Sequence, residues 1–114
     1  FESLKKETKK SDLFICKGKD AYAEGEYQDD GFVVHKGSKA NLHLTKTASI
    51  TVKNLREKLT DNSVMVNNNN VYIFTDDHLF NSPSSAASQV LARNANGWHK
   101  WKTKKGETLD QKKR

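Results

Sequence analysis

Residues 93–105 carry the chemistry this sequence most readily offers. Arg93, Asn96, Trp98, Lys100, Trp101, Lys102, Lys104 and Lys105 combine positive charge, an amide and two large aromatic faces in a short span. Cationic side chains neutralise phosphates and release condensed counterions. Arginine and asparagine also read base edges, and tryptophan stacks on unpaired bases. A second assignment competes for the tryptophans, which in a chain this poor in apolar residues serve equally well as core. Residues 98–102 alternate aromatic and polar like a strand, which would put Trp98 and Lys100 on one face and His99 and Trp101 on the other. At least one tryptophan is therefore expected to be buried and the other partly exposed.

Other chemistries find less support. There is no Gly-x-Gly-x-x-Gly and no phosphate loop, and Lys17-Gly18 and Lys36-Gly37 are isolated turns. Cys16, His35, His43, His78 and His99 stand singly, without zinc-ligand spacing. Cys16 ends an apolar run with no neighbour placed to activate its thiol. Asp29-Asp30 and Asp76-Asp77 sit in turns, where aspartate is favoured for local hydrogen bonds. Glu24 and Glu26 share one face of a strand, expected to be the solvent face. Ser84, Ser85 and Ser88 lack a partnered base. No catalytic residue, metal ligand or cofactor is assigned, and the domain is expected not to be an enzyme.

The charge distribution singles out the same stretch. The chain has 114 residues, 34% hydrophobic and 30% charged, with a net charge of +6. Residues 1–10 carry +2, residues 11–92 carry −2, and residues 93–114 carry +6. A basic cluster of this kind is the footprint of a phosphate-binding surface, although the terminal Lys112, Lys113 and Arg114 read more simply as a solvated tail. No run approaches the roughly 20 apolar residues of a membrane span. A single cysteine fits a reducing compartment, so a cytoplasmic location is expected.

These side chains have to be positioned by a small fold. Ser82 and Pro83 open a helix, the serine as cap and the proline at the first helical position. Ala86, Ala87, Val90 and Leu91 give it a narrow stripe of mostly small residues. Asn96-Gly97 is expected to reverse the chain through a positive φ. A second amphipathic helix follows from Val52, Leu55 and Leu59, giving helices near 51–61 and 83–93. Strands are expected at Leu13–Cys16, Ala21–Tyr27 and Phe32–His35, with Leu42–Leu44 as strand or loop. Val64–Val66 and Val71–Phe74 flank Asn67–Asn70, the clearest hairpin signal in the chain. Asp76–His78 reads as a turn. Leu13 to Ala21 and Phe32 to Ala40 repeat one pattern, three apolar residues, one variable, Lys-Gly and a later Ala, which describes a strand and its turn used twice.

Several motifs also resemble a known family. Phe80-x-Ser82-Pro83-Ser84-x-Ala86-Ala87, Arg93-x-x-Asn96-Gly97-Trp98-x-x-Trp101-Lys102 and Gly106-x-Thr108-Leu109 are similar to a small uncharacterised domain. That domain is often found at the C-terminus of bacterial GIY-YIG nuclease-like proteins. The pattern also resembles the RAMA (restriction-enzyme adenine-methylase-associated) domain. Gly31-Phe32-Val33-Val34-x-Lys36-Gly37-Ser38 matches the segment usually found upstream, and the resemblance runs from about Leu13 to Leu109. Ala92 departs from it, standing where glycine usually precedes the arginine. The resemblance implies DNA as ligand, with any nuclease domain lying upstream of Phe1.

The combined expectation is an α+β domain, a small mostly antiparallel sheet with two α-helices packed on it. Residues 1–11 form a flexible segment or linker, 12–109 the domain and 110–114 a basic tail. Its expected role is a non-catalytic nucleic-acid-binding accessory module of a nuclease or restriction-modification type protein, with duplex DNA as partner. An upstream nuclease domain of the same protein is a second expected partner. The alternative is a module whose basic end docks on an acidic protein.

Overall fold

The computed structural model describes residues 13–113. The expected linker at 1–11 and Arg114 of the expected tail lie outside the described residues.

The repeated strand–turn pattern is realised twice, with different outcomes. β1 (Phe14–Lys17) reverses through residues 18–21 into β2 (Tyr22–Gln28), pairing antiparallel with Phe14 opposite Gly25. β3 (Gly31–Val34) pairs with the second half of β2 on the opposite edge. Its Lys36-Gly37 does not reverse the chain. Gly37 takes a φ of 87°, a conformation few residues but glycine adopt, and the strand kinks and runs on into β4 (Lys39–Asn41), which meets β2 at Tyr22. The kink leaves backbone groups of Glu24 to be satisfied locally. Its carbonyl accepts from the His35 amide at 2.8 Å, and its amide donates to the buried Ser38 hydroxyl at 3.1 Å. Leu42–Leu44, expected as strand or loop, is loop, and β4 ends just before it at Asn41.

α1 (Ile50–Asp61) starts where expected. The Ser49 hydroxyl caps it by accepting from the Val52 amide, and Val52 and Leu59 are buried. β5 (Met65–Asn68) and β6 (Val71–Phe74) form the predicted hairpin. Asn69 and Asn70 between them have φ of 54° and 71°, the left-handed pair whose twist suits a two-residue hairpin. β7 (His78–Phe80) begins at His78, the last residue of the expected turn. The chain bends before it, at Thr75 and Asp76; the Asp76 and Asp77 carboxylates accept from the Asp77 and Lys36 amides, and β7 then pairs with β3. Among the described residues, seven strands form one sheet in the order β5-β6-β4-β2-β3-β7, all neighbours antiparallel, with β1 on the free edge of β2. The fold is α+β, a mostly antiparallel sheet with two longer helices packed against it.

α2 (Pro83–Leu91) is the centre of the core. Ser82 caps it as expected, its hydroxyl accepting from the Ser85 amide at 3.1 Å. Burial extends well beyond a stripe, however: Pro83 and every residue from Ala86 to Leu91 are buried. The small side chains of Ala86, Ala87 and Ser88 let sheet, α1 and the following segment all approach closely. The helix ends two residues sooner than expected, at Leu91, and is capped by Ala92, which takes a left-handed φ of 59° while the Arg93 amide donates back to the Ser88 carbonyl. This is the position where the resemblance anticipates glycine, and the left-handed cap explains why glycine suits it.

One polar cluster lies inside. Arg56 sits in the buried face of α1, 5% exposed. Its guanidinium donates to the carbonyls of Asn41, Leu42 and Gln89 and to the Gln89 side-chain oxygen, and it lies over the Tyr72 ring at 5.2 Å. The Gln89 amide in turn donates to the Val52 carbonyl at 3.0 Å. Burial pulls the Arg56 pKa down to about 10, which leaves it charged at neutral pH. Its planar fork ties α1, α2 and the chain after β4 together. Replacing it strands several carbonyls, so Arg56→Met should lower unfolding free energy by about 3–5 kcal/mol in urea titration. Arg56→Lys, a point charge without the fork, should recover little of it. A loss under about 1 kcal/mol for either variant would contradict this role.

Candidate nucleic-acid interface

The stretch from Asn96 to Leu109 is fastened to α2 before it presents any charge. The Asn96 side chain caps α3 (Gly97–Lys100), accepting from the Trp98 amide at 3.0 Å. The Gly97 amide donates to the Ser84 hydroxyl at 2.9 Å. Gly97 does not take the positive φ expected of it. Its requirement is space, because a Cβ there would lie 2.1 Å from the Pro83 carbonyl oxygen. That same carbonyl accepts from the Trp101 indole N–H at 3.1 Å. Trp101 is wholly buried, its ring 4.3 Å from that of Phe32.

Residues 97–100 are thus helical where alternation suggested a strand, and the predicted division of faces does not hold. The helical turn sends Trp101 inward and leaves His99 and Lys100 exposed. Trp98 is half-buried beside Tyr27, their rings 5.5 Å apart. One tryptophan in the core and one partly exposed is the expected outcome, reached through a different local geometry. Trp101 has no surface to offer a ligand.

Beyond Trp101 the chain becomes extended and closes the free edge of β1. Lys102 and Ile15 exchange both backbone hydrogen bonds, at 2.7 and 3.0 Å. Lys102 also bridges to Thr108, so residues 102–108 form a narrow loop with Gly106 at a φ of 90°. The Leu109 amide returns to the Trp101 carbonyl at 2.8 Å. α4 (Leu109–Lys113) follows with Leu109 buried, and Lys112 lies 3.7 Å from Glu107. The expected tail is therefore a short helix over its described part.

This closure draws together cations that are far apart in sequence. A groove of about 580 Å³ runs between β1 and the 99–106 segment, walled by Lys17, Tyr22, His99, Lys100, Lys102 and Lys104. A second, of about 510 Å³, is lined by Lys17, Lys19, Asn41, His43, Arg93 and Lys100, with Asp20 as its single acid among the described residues. Lys17 and Lys100 belong to both, so the two grooves form one band from Arg93 to Lys104. Cys16 lies beneath it, buried; burial pushes its thiol up to about 12, against the opposing pull of the Lys100 and Arg93 charges.

Of the residues singled out by sequence, Arg93, Lys100, Lys102 and Lys104 meet in this band. Lys105 is exposed at the loop but lines neither groove, Asn96 is occupied as a helix cap, Trp98 packs beside Tyr27, and Trp101 is core. Sequence reasoning missed Lys17, Lys19, Tyr22, His43 and His99. Lys17-Gly18-Lys19 was legible as a basic turn, but nothing in the sequence pairs residue 15 with residue 102. Among the described residues, no group of three or more His, Cys, Asp or Glu is placed to hold a metal ion, and no helix is long and apolar enough to cross a membrane.

The same stretch of chain, from β1 to α4, is what sequence comparison picks out: residues 14–113 match the model of a domain of unknown function, DUF4357. The chain belongs to the DUF4357 family. No curated protein and no solved structure matches it. The DUF4357 domain therefore has to be read from its own geometry.

The thiol beneath the band gives a direct check on that geometry. Cys16 should resist iodoacetamide at pH 8 in the native state and react fully in urea. Its unfolded thiol ionises near the ordinary value of 9.0 and the native one only near 12. The unfolded state is then favoured increasingly as pH rises, and stability falls between those values. Relative to Cys16→Ala, the wild type should lose stability between about pH 9 and 12 in urea titrations. Rapid native labelling, or an unchanged difference between the two proteins, would show the thiol to be accessible.

Proposed function

We propose that this domain is a non-catalytic nucleic-acid-binding module, accessory to a nuclease or restriction-modification type protein. The observation that carries the proposal is the shared wall of the two grooves. Among the described residues, six cations, Lys17, Lys19, Arg93, Lys100, Lys102 and Lys104, line one continuous concave band, with Asp20 the one acid in its lining. Phosphate oxygens spaced along a chain are the ligand such a band fits best. The resemblance to the GIY-YIG-associated and RAMA domains supports the accessory role. Its motif residues Pro83, Gly97 and Trp101 are those that anchor the lysine-bearing segment to α2, so the shared pattern describes how the band is presented. An acidic protein surface, such as an upstream nuclease domain, would satisfy the same cations without an extended array of phosphates.

Salt dependence separates the two. With six cations engaged, the plot of log affinity against log salt should have a slope of about −4 to −5. Lys102→Ala and Arg93→Ala should each weaken binding to all oligonucleotides and reduce the slope by about one. No binding to any single strand or duplex at low salt would refute the proposal. Recovery of a protein partner after nuclease digestion, with no oligonucleotide binding, would establish the docking role in its place.

A further inference from the structure

The aromatic surface of the band comes from β2. Tyr22 is 42% exposed and forms part of the groove wall beside Lys17 and Lys102. Strand register sets its surroundings. Tyr22 is directly opposite Lys17 on β1 and directly opposite Lys39 on β4, and residues so paired project from the same face of a sheet. Cys16, Ala23 and Ala40, the next residues along each strand, are buried on the other face. The solvent face thus carries a row of lysine, tyrosine and lysine, with the Lys17 ammonium 5.9 Å from the ring centroid. Ile15 and Lys102, paired in the neighbouring row, widen that face toward the loop at 102–108. Glu24 lies opposite Ile15 in this row and sets a negative limit to the phosphate path.

An aromatic ring between cations, on a sheet face bounded by a basic wall, is the arrangement that holds unpaired bases. Every base has a face to stack, and the flanking cations take the phosphates on either side. A base-paired duplex keeps its base faces covered by neighbours and could engage the lysines only, leaving Tyr22 unused. We propose that the band, together with Lys39 beside it on β4, binds single-stranded or locally unpaired nucleic acid, with one base stacked on Tyr22 and the adjoining phosphates on Lys17, Lys39 and Lys102. This rests on the nucleic-acid reading above and replaces duplex DNA with an unpaired strand as the preferred ligand.

The test compares a labelled oligothymidine with a duplex of the same length by fluorescence anisotropy at low salt. The wild type should bind the single strand at least about fivefold more tightly. Tyr22→Ala should weaken single-strand binding about tenfold, whereas Tyr22→Phe, which keeps the ring, should stay within about twofold. Photocrosslinking of a bromouracil-containing strand to the wild type should mark Tyr22, a result that does not depend on any variant folding. Equal affinity for strand and duplex, no loss in Tyr22→Ala while Lys102→Ala still weakens binding, or crosslinks away from Tyr22 would each overturn the stacking assignment and leave the cationic band standing. Failure of the wild type to bind either oligonucleotide would overturn both.

Discussion

The carbonyl oxygen of Pro83 is the point on which the C-terminal half of this domain is assembled. It accepts from the Trp101 indole at 3.1 Å and faces the Cα of Gly97 so closely that no side chain could stand there. Both contacts depend on what Pro83 is and where it lies. As the first residue of α2 it begins the helix at a fixed angle, capped by Ser82, with its carbonyl turned toward the segment that follows. Trp101 then carries that segment onto Phe32 of the sheet. An indole buried this completely removes about 150–250 Å² of surface from water and needs a partner for its N–H, which the helix start supplies. Stability and display thus share one tie: the residues that fill the core also decide where Lys100 and Lys102 emerge.

The second consequence is at the sheet edge. With Trp101 fixed, Lys102 is delivered in register with Ile15, and the loop that follows closes what would otherwise be the open edge of β1. Lysines from the beginning of the domain then face lysines from its end. Arg56 and Gln89 fasten α1 to α2 by hydrogen bonds to carbonyls and to one another, and two of those carbonyls belong to Asn41 and Leu42 of the second groove. α2 is held by two different means, an apolar anchor with hydrogen bonds from the Trp101 indole and the Gly97 amide, and the polar cluster of Arg56 and Gln89. The cationic band is consequently attached to a largely buried helix, although its own side chains are solvated.

Much of the fold was legible in the sequence because the signals are local. The Asn67–Asn70 hairpin, the Ser82-Pro83 helix start and the Val52, Leu55, Leu59 spacing each depend on a few neighbouring residues. Readings failed where a distant contact overrides a local pattern. Trp98 to Lys102 alternates like a strand, but Gly97 pressed against Pro83 winds it into a helical turn. Lys36-Gly37 resembles Lys17-Gly18, yet it kinks a strand because β2 is already present to be bridged and Ser38 satisfies the Glu24 amide. Half of the candidate site was legible as charge near residue 100. The other half, Lys17, Lys19 and Tyr22, reaches it only through the pairing of Ile15 with Lys102. Trp101 was legible as an aromatic but not as core or surface, since that choice is made by the carbonyl of Pro83.

The most direct measurement of the central claim is an amide-resolved NMR titration of the ¹⁵N-labelled domain with an unstructured oligonucleotide. If the anchored segment and β1 form one binding band, shifts will concentrate at Lys17 to Tyr22, at Arg93 and at His99 to Lys104, and will saturate with a single affinity. Shifts gathered instead at Ser49, Ser84, Ser85 and Ser88, which line a separate groove between α1 and α2, or scattered over the surface without saturating, would contradict the account.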